Sequence, residues 1–317
     1  MELRQLRYFI ATAEELSISR AARRLRLAQP ALSQQIRHLE DEFAVKLLKR
    51  NSRGVQLTAA GERLLVEARA IVQRAAALPG IICGRDGELV GEVRIGLPGT
   101  VAEILAVPMM MRCRKEHPRI DIKVQEAMSG YVRDWLTKGN VDLAILYSTA
   151  NTLADGIAVH EVLTEEVCLF AAPGLLSNLP DPFPFRELAR FDLILPSRSN
   201  GLRQLIEQYA DHANVTFTNT VEIDSYSQIK RLVAKGVGVG LLPRMAIQSE
   251  VRDGVLQASS ITEPALERRV FLAWSQERRA SEATEAVGCL AWDTLRRLVK
   301  TGAWEARLAP DIMPEIN

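Results

Sequence analysis

The chain has 317 residues, 47% of them hydrophobic and 25% charged, with a formal net charge of +1. That is an ordinary globular composition with room for two or three domains, and no apolar run reaches the roughly 18 residues that mark a membrane span. The charge is unevenly placed: residues 1–58 hold eleven Lys/Arg against six Asp/Glu, a balance of +5, which leaves −4 for the rest. A basic N-terminal part on a mildly acidic body points to a polyanion as the partner of the first part only; a solvated basic surface is the plain alternative. Glu2, Arg4, Arg7, Glu14 and Glu15 interrupt any signal-peptide core, so a cytoplasmic protein without a membrane partner is expected. Cys83, Cys113, Cys168 and Cys289 are far apart in sequence and form no CxxC metal or redox motif.

Leu3, Leu6, Phe9, Ile10, Ala13 and Leu16 repeat at helical spacing and predict a first helix over residues 3–15. Ser19 is the expected N-cap of a short second helix reaching about Leu25. After the tight connection Leu27-Ala28-Gln29, Pro30 suits the first turn of a third helix, where its missing N–H costs nothing. That helix has Leu32, Ile36, Leu39 and Phe43 on one face and Ser33, Gln34 and Arg37 on the other. Two short helices joined by about three residues make a helix-turn-helix pattern, whose second helix reads the DNA major groove from its N-terminal half. Gln29, Pro30, Ser33, Gln34 and Arg37 are then the base-reading candidates. Gln pairs with adenine, Arg with guanine and Ser with either. The acidic run Glu40-Asp41-Glu42 keeps the far end off phosphates. Taken alone, the same polar face is equally that of a small solvated helical domain.

The stretch VKLLKRNSRGVQLTAAGERLL predicts a strand at Val45–Leu48, a basic turn with Gly54, and a return strand Val55–Leu57, together a β-wing. Lys49, Arg50, Ser52 and Arg53 are its phosphate-holding candidates. Thr58 is placed to cap a long helix to about Leu78, with Leu64, Leu65, Ala68, Ile71, Val72 and Ala75 as an apolar seam suited to pairing with another copy.

With LRQLRYFIATAEELSISRAARRLRLAQPALSQQIRHLEDEF and LLKRNSRGVQLTAAGERLL on the page, residues 1–65 resemble the N-terminus of the LysR-type transcriptional regulators. AQPALSQQ, RGVQLT and IGLPGT are similar to the nitrogen assimilation control type within that family. The resemblance implies an α/β protein: an N-terminal winged helix-turn-helix (1–58), a linker helix that dimerises, with its hinge (59–89), and a C-terminal effector domain (90–303). That last domain would have two periplasmic-binding-protein-like lobes, lobe I at 91–162 and 268–300 and lobe II at 163–267, ahead of a tail, 304–317. It also implies double-stranded DNA with an interrupted palindromic operator, self-association to a dimer or tetramer, a small-molecule effector, and RNA polymerase as a partner if the protein activates. It implies no cofactor, no metal and no catalysis.

The residues of the body agree with that frame. GEVRIGL (91–97), residues 121–126 and VDLAILY (141–147) read as strands alternating with helices at 102–115 and 131–138. A second set follows: EEVCLFAA, FDLILPS, a helix at 202–213, VTFTNTVEI, a helix at 226–235, VGVGLLP and RRVFLAWS. Such alternation predicts a parallel sheet of βαβ units, and ligands bind at the carboxyl ends of such strands. The candidates are Thr100, Ser129, Tyr147-Ser148, the loop Pro196-Ser197-Arg198-Ser199-Asn200, and Ile223-Asp224; by resemblance Thr100, Ser129 and the 197–199 loop face the cleft between lobes, where their hydroxyls and backbone N–H groups suit a carboxylate or another small anion. Ordinary helix capping explains each hydroxyl equally well. Gly236-Val237-Gly238-Val239-Gly240 follows a helix and enters a strand, the reverse of a dinucleotide loop, so its glycines are read as a helix end and close packing. The tail APDIMPEIN is expected to be loose. Two other classes compete: a solute-binding protein, disfavoured by the winged head, and an enzyme, for which no nucleophile–base pair, metal cluster or phosphate loop speaks.

Overall fold

The computed structural model of the chain describes residues 1–51, 54–83, 89–148, 156–176 and 179–316. It divides into two units, Met1–Glu92 with Arg119–Asp121 and Lys138–Asn140, and the remainder; each is described by itself.

The first unit, the head, runs α1 (Leu3–Glu15), α2 (Ile18–Arg24), α3 (Gln29–Glu42), β1 (Leu48–Asn51), β2 (Gly54–Leu57) and α4 (Ala59–Cys83). Gln5 Oε1 accepts the Glu2 N–H at 2.8 Å and closes the start of α1. The helix ends at Leu16 in the left-handed region, φ 49°, so Leu16 leaves the apolar stripe and is exposed. The cap of α2 is Ser17, not Ser19. The turn at Leu16 leaves Ser17 extended, with its hydroxyl reaching the Arg20 N–H, while the Ser19 hydroxyl meets Gln29 Oε1 at 3.0 Å. Leu6, Phe9, Ala21, Leu32, Ile36, Leu39, Leu47, Val55, Leu65 and Ala68 make one core. Each large side chain in it contributes roughly 1.5–3 kcal/mol of burial. Phe43 lies past the end of α3 and is 42% exposed rather than joining that face.

The first wing strand lies three residues later than the apolar run suggests. Glu40 Oε1 accepts the N–H groups of Leu47 and Leu48 at 2.9 and 3.1 Å. Those groups are thereby held at a helix side chain, and the ladder begins at Leu48, paired with Leu57. Lys49 and Arg50 therefore lie in a strand, not in the turn. Thr58 does cap α4, its Oγ1 accepting the Gly61 N–H at 3.0 Å. The seam on α4 is shared: Leu65 and Ala68 enter the head core and Leu64 and Val72 pack on it, whereas Ile71 and Leu78 are exposed.

The second unit, the body, contains β3 (Gly91–Pro98), α5 (Gly99–Glu116), β4 (Ile120–Ala127), α6 (Ser129–Thr137), β5 (Leu143–Ser148), β6 (Ile157–Ala171), β7 (Phe183–Pro184), β8 (Leu193–Leu195) and α7 (Gly201–Ala213). It continues with β9 (Thr220–Glu222), α8 (Tyr226–Ala234), β10 (Val239–Pro243), α9 (Gln248–Arg252), β11 (Gln257–Ser259), β12 (Ile261–Thr262), β13 (Glu267–Ser275), α10 (Glu282–Lys300) and β14 (Arg307–Leu308). One sheet runs β4-β3-β5-β13-β6-β10-β8-β9, with β11 and β14 also on β6. β3 and β5 are parallel, as are β10, β8 and β9. Between these two parallel groups β6 and β13 run antiparallel and cross. β6 pairs with β13 from Ile157 to Glu166 and with β10 from Val167 to Phe170. The body is thus two parallel half-sheets joined by long crossing strands, not an uninterrupted series of βαβ units.

Gly236 ends α8 with φ +73°, and a methyl group on Gly240 would stand 2.3 Å from the Phe170 ring, so these glycines do end a helix and allow close packing. α10 is an element the apolar pattern does not announce; Ser281 caps it by accepting the Thr284 N–H at 3.1 Å. Arg112, near the end of α5, joins that helix to α10 through Asp293 and Thr294, both at 2.8 Å. The tail is not loose. Trp304 is 0% exposed and Ile316 3%. β14 pairs with β6, and Arg296 donates to the Ala309 carbonyl at 2.8 Å.

Candidate DNA-reading surface and effector cleft

On the head, Gln29, Pro30, Gln34 and Arg37 are exposed along α3. Ser33 faces inward and is 8% exposed, so the outward row is narrower than helical spacing suggests. Arg24 is held by Glu14 at 2.8 Å and Arg20 by Glu15 at 3.7 Å, which ties two basic side chains of α2 back onto α1. Glu40 is not a repelling surface charge. Its carboxylate is buried, and besides the two backbone donors it takes Lys46 Nζ at 2.8 Å. Burial pushes its pKa up, but the Lys46 ammonium and the Leu47 and Leu48 N–H groups outweigh that and hold it below the ordinary value. Lys49 is exposed on β1. Arg50 is placed by its backbone, and Ser52 and Arg53 lie outside the described residues.

In the body, the ends of β3 and β5 bring Thr100 and Tyr147 together, with hydroxyls 2.6 Å apart. The crossing strands add Arg268 and Glu165, cross-strand neighbours in register and 2% and 1% exposed. Arg268 Nε donates to Glu165 Oε1 at 2.6 Å, and its Nη2 donates to Thr100 Oγ1 and Tyr147 OH at 3.0 and 3.1 Å. The guanidinium carbon stands 3.7 Å from the centre of the Tyr147 ring. The second Glu165 oxygen takes the Trp304 indole N–H at 2.9 Å, so the tail completes the ion pair. Burial lowers the pKa of Arg268, but Glu165 and the hydroxyls of Tyr147 and Tyr226 raise it by more. Tyr226, at the start of α8, accepts from Asn200 Nδ2 at 3.1 Å.

The other predicted effector residues sit on a seam beside this group. Ser129 Oγ accepts the Gly201 N–H at 3.0 Å, so it occupies the N-terminus of α7. Asn200 caps that helix through the Leu202 N–H and also donates to Met128 Sδ. The Ser197 and Ser199 hydroxyls bond each other at 2.9 Å, and Asp224 Oδ1 accepts the Ser197 N–H at 2.8 Å. Arg198 is exposed and pairs with Glu207 at 3.5 Å. Ser148 is placed by its backbone at the end of β5. Tyr147 was among the sequence-derived candidates; Arg268, Glu165, Tyr226 and Trp304 were not. Their trace was an acidic pair before VCLFAA and a basic pair before VFLAWS, opposite charges that meet once the two runs align antiparallel.

Comparison with known proteins converges on one family. Residues 3–62 match the bacterial regulatory helix-turn-helix proteins of the lysR family, and residues 86–297 match the LysR substrate binding domain. The nitrogen assimilation regulatory protein nac of Escherichia coli is 30% identical over 288 residues, 90% of this chain and 93% of that protein. A probable hydrogen peroxide-inducible genes activator of Streptomyces viridosporus is 33% identical over 296 residues, 91% of this chain and 93% of that protein. These near-equal identities do not single out the nitrogen-control type. The solved structure of a full-length OxyR variant from Pseudomonas aeruginosa shares the fold with a TM-score of 0.74 at 22% identity, covering 99% of both chains. With its helix-turn-helix head and substrate-binding body both matched, the chain belongs to the LysR family of DNA-binding transcriptional regulators with an effector-binding domain.

Proposed function

We propose that α3 reads base edges in the major groove through Gln29, Pro30, Gln34 and Arg37, with Ser33 at the inner edge of the same turn. The wing holds phosphates through Lys49, Arg50, Ser52 and Arg53. The observation that carries this reading is the exposed row Gln29, Gln34, Arg37, while neighbouring Arg20, Arg24 and Glu40 are tied into the head itself. Two copies pair through the linker helix, to which Ile71 and Leu78 offer exposed apolar side chains. They face the half-sites of an interrupted palindrome, and two such dimers make the tetramer.

The body binds a small effector between its lobes and catalyses nothing. The division follows the boundaries expected from sequence: head 1–58, linker 59–89, effector domain 90–303. An effector with an anionic group meets Thr100, Ser129, Ser148, the 197–199 loop and Asp224 around the Arg268 cluster. It shifts the lobes between two arrangements for which it has unequal affinity. The protein works in the cytoplasm, and RNA polymerase is its partner where it activates.

The test is selection of bound sites from random duplex DNA by the full-length protein. Enrichment of an interrupted palindrome with half-sites about one helical turn apart is the expected result. Recovery of all sequences alike removes the base-reading role of α3.

A further inference from the structure

Two polar groups lie near the start of α5: a buried donor of Arg268 that the protein leaves without an acceptor, and the exposed carboxylate of Glu126. Arg268 has three of its five N–H donors taken up by Glu165, Thr100 and Tyr147, yet Nη1 is buried without a hydrogen-bond partner. A guanidinium N–H there needs an acceptor oxygen. Glu126, at the end of β4, is the second group. A methyl group on Gly99 would stand 2.9 Å from Glu126 Oε1 and 3.3 Å from Tyr226 Cδ2, which puts that carboxylate and the Tyr226 ring on the same side of Gly99, next to Thr100 in the chain. Glu126 has no hydrogen-bond or ion-pair partner among the described residues.

The charges around this place exclude a plain anion. Arg268 is already balanced by Glu165 at 2.6 Å. The Asp224 carboxylate and the Arg268 guanidinium both act on Tyr226, with opposite sign. A ligand with negative charge alone would place it against Glu126 and Asp224 with no unmatched cation to receive it. A ligand with positive charge alone would leave Arg268 Nη1 unpaired. A molecule with both charges a few bonds apart meets both groups.

We infer that the cleft takes a zwitterion of the α-amino acid type, its carboxylate on Arg268 Nη1 and its ammonium on Glu126. The inference rests on the proposal that the effector binds between the lobes, and it names the chemistry of that ligand. Thr100 and Tyr147 orient the carboxylate, and Glu126 distinguishes an amino acid from the acid that lacks nitrogen.

The experiment is isothermal titration of the full-length protein with the common L-amino acids, their decarboxylated amines and the matching 2-hydroxy acids. One amino acid is expected to bind at least about tenfold tighter than its amine and its hydroxy acid, about 1.4 kcal/mol. Glu126→Gln should remove that preference, weakening the amino acid and, with one negative neighbour gone, tightening the hydroxy acid. Tyr147→Phe should weaken amino acid and hydroxy acid together. If the hydroxy acids or added dicarboxylates bind as tightly as any amino acid and Glu126→Gln changes nothing, the zwitterion is wrong. The interlobe site survives that result so long as Tyr147→Phe still weakens binding. Binding indifferent to both substitutions overturns the site as well, and binding of no compound in the set overturns the inference.

Discussion

Head and body each bury a carboxylate beside a cation, and they complete it differently. In the head, Glu40 takes Lys46 and two backbone N–H groups from within eight residues of chain. Every contact is local, and it fixes β1 against the end of α3. In the body, Glu165 takes Arg268 from 103 residues away and Trp304 from 139. Even so, the guanidinium Nη1 stays without an acceptor. The head is a finished surface waiting for an external polyanion. The body's polar centre is assembled from distant strands and leaves a buried nitrogen of Arg268 without a protein acceptor.

The widest break in this comparison comes from the body. Glu165→Ala leaves a buried guanidinium uncompensated and should cost roughly 3–5 kcal/mol, whereas replacing both partners by apolar residues of similar size should recover most of it. Urea unfolding followed at the body's tryptophans measures both variants. Equal losses in the single and double variants would show that the pair is not the linchpin described. On the head, Gln34→Ala should reduce discrimination by about 1–3 kcal/mol at one base pair of the selected site. A uniform loss over all sequences would make Gln34 a backbone contact.

Glu40→Gln should cost on the order of 1 kcal/mol in the head and change its acid response. Because the folded pKa lies below the ordinary 4.5, the carboxylate's contribution is complete above that value and is lost as pH falls through the lower folded value. The variant should therefore show a flatter acid limb in a pH series of head unfolding. The smallest change is electrostatic. Replacing Arg50 and Arg53 with Ala should flatten the salt dependence of DNA binding by about one unit of slope per lost phosphate contact. An unchanged slope would take the wing off the DNA.

The head was the more legible half because its contacts are local. Apolar spacing placed Leu6, Phe9, Leu32, Ile36 and Leu39 in the core, and Pro30 marked the first turn of α3. The misreadings there were one-turn effects: Ser17 in place of Ser19 as a cap, and a wing strand delayed by the grip of Glu40 on Leu47 and Leu48. In the body, single-strand patterns located most strands, but not the register that faces Arg268 with Glu165. Helix-capping residues such as Ser129 were visible as hydroxyls at strand ends. Which helix each one caps depends on two segments 72 residues apart. α10 and the tail were hidden because their apolar anchors, Val287, Leu290, Trp304 and Ile316, are spread among charged and proline-containing stretches.

Trp304 also makes the cleft visible to light. Its indole N–H rests on the carboxylate that neutralises Arg268. Any occupant that draws on the guanidinium redistributes charge one hydrogen bond from a fluorophore. Emission of a variant keeping Trp304 as its single tryptophan, with Trp135, Trp274 and Trp292 replaced, would follow occupancy of the site without a dye, a label or DNA.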